Sequence, residues 1–271
     1  MNPKLVNTPK TDGKKRKKKS LIILLIALLL VFVLSLWAIL WAYFGSDGFD
    51  ASKFKNQSTG NTSSVTSTVE SEPIILAENP INFEELKKTN GDVCAWITVP
   101  NTNIDYPIVQ SSKSDDNYYI NHSWDNKYTI NGAIYIQRLN GNTFTDRNTV
   151  VYGHNLRNGT MFRNLHKFRD KEFFDANEYF YVYTPGHILT YRIFAAYRYD
   201  NRHILNSFDF ADTDAYAEYL KSAQNPNSLI KNTRQVELTT DDRIVTLSTC
   251  ISDKRYRYLV QGVLISDQLT Y

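Results

Sequence analysis

The 271-residue chain contains two cysteines and five histidines. One of the thiols stands where it could do chemistry. Ile244-Val245-Thr246-Leu247-Ser248-Thr249-Cys250 reads as a strand by its β-branched content. Period-two alternation sends Val245 and Leu247 to one face and Thr246, Ser248 and Cys250 to the other. Cys250 therefore ends a strand on a hydroxyl-bearing face, whereas structural cysteines sit among apolar neighbours. The next strand, read from Arg255 to Ile265, places two guanidiniums near its start, Arg255 and Arg257. A thiol beside a planar donor fork that keeps its proton suits acyl transfer.

Such a site needs a base. His154 directly follows the strand Thr149-Val150-Val151-Tyr152-Gly153, at the kind of strand end from which enzymes expose catalytic groups. His122, His166, His187 and His203 fall in expected turns, a helix or a long loop, where a surface histidine needs no further reason. Each functional reading has a plain competitor. Cys250 also reads as a core residue, and Arg257 as a solvated edge charge. Cys94, ahead of the Trp96-Ile97 strand, reads as a small packed residue, with a Cys94–Cys250 bridge as the alternative. Two cysteines give no disulfide framework, and without paired histidine spacing they give no zinc site; no metal or cofactor is expected.

The elements that must position these groups are short. A helix over Asn82–Thr89 is expected, with Asn82 as its cap and Asn90-Gly91 as its stop. Strands follow at Ala95–Val99, Ile108–Val109, Ala133–Ile136 and Thr149–Gly153, with a helical turn or short strand at Tyr118–Ile120. Met161, Leu165 and Phe168 share the core face of a short helix. Tyr179–Tyr183 and Ile188–Tyr199 form a hairpin across Thr184-Pro185-Gly186-His187. A helix spans Asp212–Gln224, and Gln235–Leu238 is a further strand before the two described first. Eight or so short strands with few helices point to a mainly β barrel or sandwich.

Charge separates the chain's beginning from the rest. Residues 1–20 carry eight Lys/Arg and one Asp, hence +7, and the remaining 23 basic and 27 acidic residues give −4, summing to the +3 of the whole. Basic charge confined to a tail argues against nucleic-acid binding. Leu21–Phe44 is uncharged over 24 residues, about 36 Å as a helix and enough to cross a bilayer. The run Lys14–Lys19 before it, with Trp37, Trp41 and Tyr43 at its far end, keeps the N-terminus cytoplasmic and the rest extracellular. The apolar run is too long for a cleaved signal peptide and shows no small-x-small cleavage site. Residues 45–79, rich in Ser, Thr, Asn and Gly, read as a flexible tether, and residues 80–271 as the folded domain.

Taken together, Thr246-Leu247-Ser248-Thr249-Cys250, the upstream Tyr152-Gly153-His154-Asn155 and Arg257 in a strand ending Val260-Gln261-Gly262 resemble the sortases. These are membrane-anchored cysteine transpeptidases of Gram-positive bacteria. The resemblance covers most of residues 80–271. Trp96-Ile97, Ile104–Gln110, Asn131–Tyr135 and the helix between the Tyr199 and Gln235 strands look like the class B branch.

The resemblance implies an eight-stranded barrel with an N-terminal helix and a helix in the connection before the last strands. It implies Cys250 as nucleophile on the Thr carbonyl of a sorting signal near the C-terminus of a secreted protein. His154 would be general acid and base, and Arg257 would hold substrate and the developing oxyanion. The acceptor amine would belong to peptidoglycan or its lipid-linked precursor. Ser248 and Thr249 would line the groove, and Ile204 would supply an apolar contact. Class B signals range from Asn-Pro-x-Thr-x to Ser/Pro-Pro-x-Thr-Gly. Arg255 shares a strand face with Arg257, so the choice between them rests on the Arg-Tyr-Leu-Val-Gln-Gly match. Ile251 follows the cysteine where some relatives carry an acidic or polar residue. An extracellular cysteine peptidase or hydrolase using the same Cys–His pair is the alternative, although a papain-like enzyme would have its cysteine opening a helix and preceding the histidine. A surface adhesin would account for the anchor and β content but not for the thiol and Arg257.

Overall fold

In the computed structural model, which describes residues 23–37, 49–56, 63–64, 75–251, 253 and 255–271, the chain divides into two units, Met1–Phe49 and Asp50–Tyr271. In the first, residues 23–37 are helical and expose large apolar side chains from Ile23 to Trp37. Among the described residues no helix is long and apolar enough to cross a membrane. Of the expected 21–44 span, residues 21–22 and 38–44 lie outside the description. So do the expected tail 1–20 and much of the tether.

The second unit begins earlier than Pro80, where the domain was expected to start. Ala51–Phe54 form a 3₁₀ turn capped by Asp50. The backbone is held by Asn56 N–H to Pro80 O at 2.8 Å and Asn82 N–H to Phe54 O at 2.8 Å. The Phe54 ring meets Trp124 edge-on, and Lys55 Nζ lies 2.6 Å from Asp105. An aromatic anchor and an ion pair thus fasten a segment whose composition alone reads as linker. Ser63–Ser64 pair antiparallel with Ile75–Leu76.

Helix α1, Phe83–Thr89, starts where Asn82 accepts from the Glu85 N–H, satisfying one of the orphan donors of a first turn. The barrel strands are β1 Val93–Val99, β2 Ile104–Gln110, β3 Ile134–Ile136, β4 Asn148–Gly153, β5 Tyr179–Thr184 and β6 His187–Asp200. After them come β7 Lys231–Thr233, β8 Ile244–Cys250 and β9 Tyr256–Leu269. Neighbours run β9-β8-β4-β3-β2-β1-β5-β6, and β6 pairs back onto β9, closing eight strands into a barrel with β7 appended to β6. Closure removes the free edges that an open sheet would expose. A 3₁₀ helix, Phe162–Arg169, leads into α2, Lys171–Ala176. The β6–β7 connection holds α3, Ile204–Ser207, and α4, Thr213–Gln224, the latter capped by Asp212.

Alternation along each strand builds two cores. Val245, Leu247, Tyr258 and Val260 point into the barrel among Ile97, Phe162, Phe180 and Ile193. Ile244, Leu259 and Val263 point outward, under Tyr216, Tyr219, Leu220 and Ala223 of α4. Each such aliphatic side chain contributes about 1.5–3 kcal/mol by leaving water. The hydroxyl face of β8 is therefore covered over most of its length. Thr246 Oγ1 donates to Asn148 Oδ1 at 2.8 Å and accepts from Gln261 Nε2 at 2.9 Å. Gln261 also reaches the Tyr219 hydroxyl at 2.9 Å and accepts from Tyr197 at 3.0 Å. In a satisfied network of this kind the internal hydrogen bonds offset the cost of taking these polar groups out of water.

Two sequence expectations are corrected. Gln235–Leu238 is not a strand; the ladder to β6 is made by Lys231–Thr233. Val236 and Leu238 meet their alternation by packing on the outer core, and the Val236 carbonyl accepts from Gln224 of α4 at 2.7 Å. Met161 is not inside a helix but sits before the 3₁₀ turn at φ 54°, half-buried, while Leu165 and Phe168 are buried as expected.

Candidate active site

The barrel brings the three site candidates to one end. Strands β8 and β4 are parallel, and their last pair is Thr249 with Gly153. The next residue on each is Cys250 and His154, side by side at two strand ends. Gly153 leaves room there: a Cβ would lie 2.5 Å from Ile134 Cδ1 and 2.7 Å from the Phe162 ring. On the other side of β8, antiparallel β9 places Arg257 directly opposite Cys250. Arg257 Nη1 lies 3.0 Å from Cys250 Sγ, both residues half-buried. Arg255, by contrast, is exposed and chelates Asp253, with Nε to Oδ1 at 3.0 Å and Nη2 to Oδ2 at 2.7 Å. That pairing holds the Asp253 carboxyl down at about 2.

His154 faces a backbone acceptor. Its Nε2 is 2.7 Å from the carbonyl oxygen of Ile120. A carbonyl only accepts, so Nε2 carries the proton and Nδ1 is the nitrogen left for exchange. Gly132, at φ 62°, fits beneath: a Cβ there would stand 2.6 Å from Ile120 O and 2.8 Å from the His154 ring.

A cavity of about 60 Å³ opens beside Arg257, lined by Tyr152, Tyr199, His203, Ile204, Ser248 and Arg257 among others. Ser248 and Ile204 thus lie together in it. Thr249 does not: its side chain is fully buried on the opposite strand face and donates to Gly153 O at 2.9 Å. Two of the lining residues carry buried polar atoms with no partner, Tyr199 Oη and His203 Nδ1. His203 Nε2 is 2.6 Å from Gln137 Oε1, and burial, then the Arg257 charge, push this imidazole below its ordinary range. A far larger cavity, about 760 Å³, surrounds Cys94, Asp92, His187 and Arg243. It opens at the start of β8, about 20 Å along the strand from Cys250, and shares no residue with the smaller pocket. Among the described residues no His/Cys/Asp/Glu group is arranged to hold a metal. Both cysteines are free thiols, so the Cys94–Cys250 bridge does not form.

Sequence reading missed the surroundings of Cys250. His166, expected on a helix surface, turns its Nε2 to within 3.2 Å of the Cys250 carbonyl, and Asn155 Nδ2 donates to the same oxygen at 2.8 Å. The separations of 84 and 95 residues leave no local signal to find them by. Only the adjacency of Asn155 to His154 offered a hint.

Residues 97–265 match the family model described as the Sortase domain. The chain is 36% identical over 189 residues to Sortase B of Listeria monocytogenes, covering 68% of this chain and 74% of that one. The crystal structure of Clostridium perfringens sortase B superimposes with a TM-score of 0.61 at 34% identity, covering 68% of this chain and all of that one (100%). A Staphylococcus aureus sortase B–substrate complex matches with a TM-score of 0.61 at 26% identity, over 68% of this chain and 85% of that one. With the barrel, the paired thiol and guanidinium, and these likenesses in place, the chain belongs to the sortase family of cysteine transpeptidases, on its class B branch.

Proposed function

We propose that this enzyme cleaves a C-terminal sorting signal after Thr and joins the secreted protein carrying it to an amine of peptidoglycan or its lipid-linked precursor. The observation that carries the reading is the Arg257 Nη1–Cys250 Sγ contact of 3.0 Å at the end of β8, with His154 following the last residue of the neighbouring β4. The Cys250 thiol passes its proton to Nδ1 of His154 as its sulfur attacks the Thr carbonyl carbon, and the carbonyl oxygen takes up the electron pair under the Arg257 guanidinium, which stays charged throughout. The C–N bond breaks as His154 gives a proton to the departing amine, leaving a thioester. The acceptor amine then loses its proton to His154 and adds to the thioester carbonyl, and the C–S bond breaks as the sulfur takes that proton from His154, restoring the thiol. With Nε2–H held by Ile120, Nδ1 of His154 carries each transfer.

Ser248, Ile204, Tyr199 and His203 form the substrate lip. Residues 21–44, behind the basic tail, anchor the enzyme with its catalytic domain outside the cell. There secreted substrate and wall precursor meet.

The test mixes the full chain, in detergent, with Asn-Pro-x-Thr-x and Ser/Pro-Pro-x-Thr-Gly peptides and with diaminopimelate or oligoglycine, products being identified by mass. Peptide joined to the amine after Thr, absent with Cys250→Ala, is expected. Free acid alone across all acceptors would replace transfer by hydrolysis. No Cys250-dependent thioester with any peptide would overturn the reading.

A further inference from the structure

The peptide group that follows the Cys250 side chain is gripped from two directions. Asn155 Nδ2 donates to the Cys250 carbonyl at 2.8 Å, and His166 Nε2 lies 3.2 Å from the same oxygen. Since that oxygen can only accept, Nε2 of His166 bears a proton. Arg163 Nη1 donates to Asn155 Oδ1 at 3.0 Å, which fixes the amide with its NH₂ toward Cys250.

Both grips come from the chain just after His154. Asn155 is its neighbour, and Arg163 and His166 lie on the 3₁₀ helix Phe162–Arg169. That helix is tied back by the Phe162 N–H to the His154 carbonyl at 2.9 Å. One segment therefore carries His154 and holds Cys250. The location explains the need. The β4–β8 ladder ends at Gly153 and Thr249, and beyond it the backbone supplies no further rung between the two strands. The Asn155 side chain supplies one, at the residue whose sulfur must be placed.

His166 has no other evident task. Its ring packs on Tyr258 at 5.1 Å between centroids, and its Nδ1 is buried without a partner. A native fold rarely leaves a buried nitrogen unsatisfied without return elsewhere, and here the return is the bond made by Nε2. Burial, then the charge of Arg169, push this imidazole down to about 4. The ring stays neutral, a donor that brings no charge to the thiol.

We propose that Asn155, braced by Arg163, and His166 are positioning residues that lock the Cys250 peptide so that Sγ stays against Arg257 and beside His154 through acylation and release. The inference rests on the transpeptidase reading of Cys250. A displacement of about 1 Å at a reacting atom can cost a hundredfold in rate.

Three variants of the full chain separate the grips. Asn155→Asp is isosteric and keeps an acceptor for Arg163 but cannot donate. His166→Phe removes the other donor, and His166→Gln keeps an N–H without the ring. Each is followed by kcat and KM for peptide transfer, by the rate at which iodoacetamide alkylates Cys250, and by Tm. N155D and H166F should lower kcat about 10- to 100-fold with KM within about twofold, and slow alkylation about three- to tenfold. H166Q should recover to within about threefold of the parent. Arg163→Ala, remote from the carbonyl, should show the same signature at about threefold. Unchanged kcat and alkylation in folded N155D and H166F, or H166Q no better than H166F, would overturn the clamp. If the parent itself forms no thioester with any peptide, the transpeptidase reading fails, and the alkylation rates still decide whether the clamp places the sulfur.

Discussion

The two thiols of this protein sit on strands of one barrel and differ in nearly everything that sets reactivity. Cys94 lies where the β1–β2 register shifts, and its Sγ is turned to the Ile108 carbonyl at 3.4 Å. Burial pushes that thiol up to about 12. Cys250 stands half-buried at a strand end with a guanidinium nitrogen 3.0 Å from its sulfur. The difference teaches that neither strand membership nor side-chain type makes a nucleophile; solvent access and a neighbouring cation do. The strongest way to break the comparison is to label both. Iodoacetamide at pH 7 should mark Cys250, with Cys94 at least about 10³-fold slower until the protein is unfolded. Cys250→Ala should abolish transfer. Cys94→Ala should leave it within about twofold and cost about 1 kcal/mol of stability. Equal labelling of the two would end the argument.

Next in size is the cation. Arg257→Ala should lower kcat/KM by about 10²–10³-fold, the usual cost of removing one donor to a developing oxyanion. Arg257→Lys should recover little, because an ammonium cannot reproduce the planar fork. Arg255→Ala is the control. Its guanidinium is engaged with Asp253, so activity within about twofold is expected. Loss of activity with Arg255 and not with Arg257 would reverse the assignment that the contact at Cys250 makes.

Much of this arrangement is legible in the sequence, and the boundary of what is legible is physical. Ile244–Cys250 reads as a strand because its β-branched alternation is local, and the structure returns the same seven residues. Asn82 reads as a cap because capping is a short-range bond, and its side chain accepts from the helix it starts. Closure of β6 onto β9 is not local. Nor is the role of Thr246, which belongs to a buried network with Asn148 and Gln261, not to the site. Gln235–Leu238 misled because alternation reports burial on one side, and α4 supplies that burial without a ladder. Thr249 misled in the opposite sense: adjacency in sequence to Cys250 places it on the other face of the strand.

A third contrast lies in the backbone under His154. Gly132 holds φ 62° beneath the His154 ring, where a Cβ would meet the Ile120 carbonyl at 2.6 Å. Gly132→Ala adds a left-handed backbone penalty of about 1–2 kcal/mol and forces the imidazole or its acceptor to shift. About tenfold lower kcat is expected, with the His154 ring proton, followed by NMR, losing its bound shift. Cys250 alkylation should stay close to the parent, because Gly132 touches His154 and not the thiol. A parallel fall in alkylation would mean that the two halves of the site are not separable.

The smallest effect concerns pH and again divides the two cysteines, since it acts only where a histidine holds the carbonyl. His166 titrates near 6.5 when unfolded and is pushed to about 4 by burial in the fold. Between those values the unfolded chain binds the extra proton, so stability is complete above about pH 6.5 and falls as pH drops toward 4. The shift corresponds to at most about 3 kcal/mol, and because the ring is only partly buried roughly half of that is expected. His166→Gln removes this component, so urea unfolding at pH 7 and pH 4.5 should show a parent that loses about 1–2 kcal/mol more than the variant. The slope that remains in the variant includes His203, whose imidazole is lowered by burial and by Arg257 in the same sense. Equal losses in parent and variant would mean that the His166 ring is solvated in solution, and the grip on Cys250 would then fall to Asn155 alone.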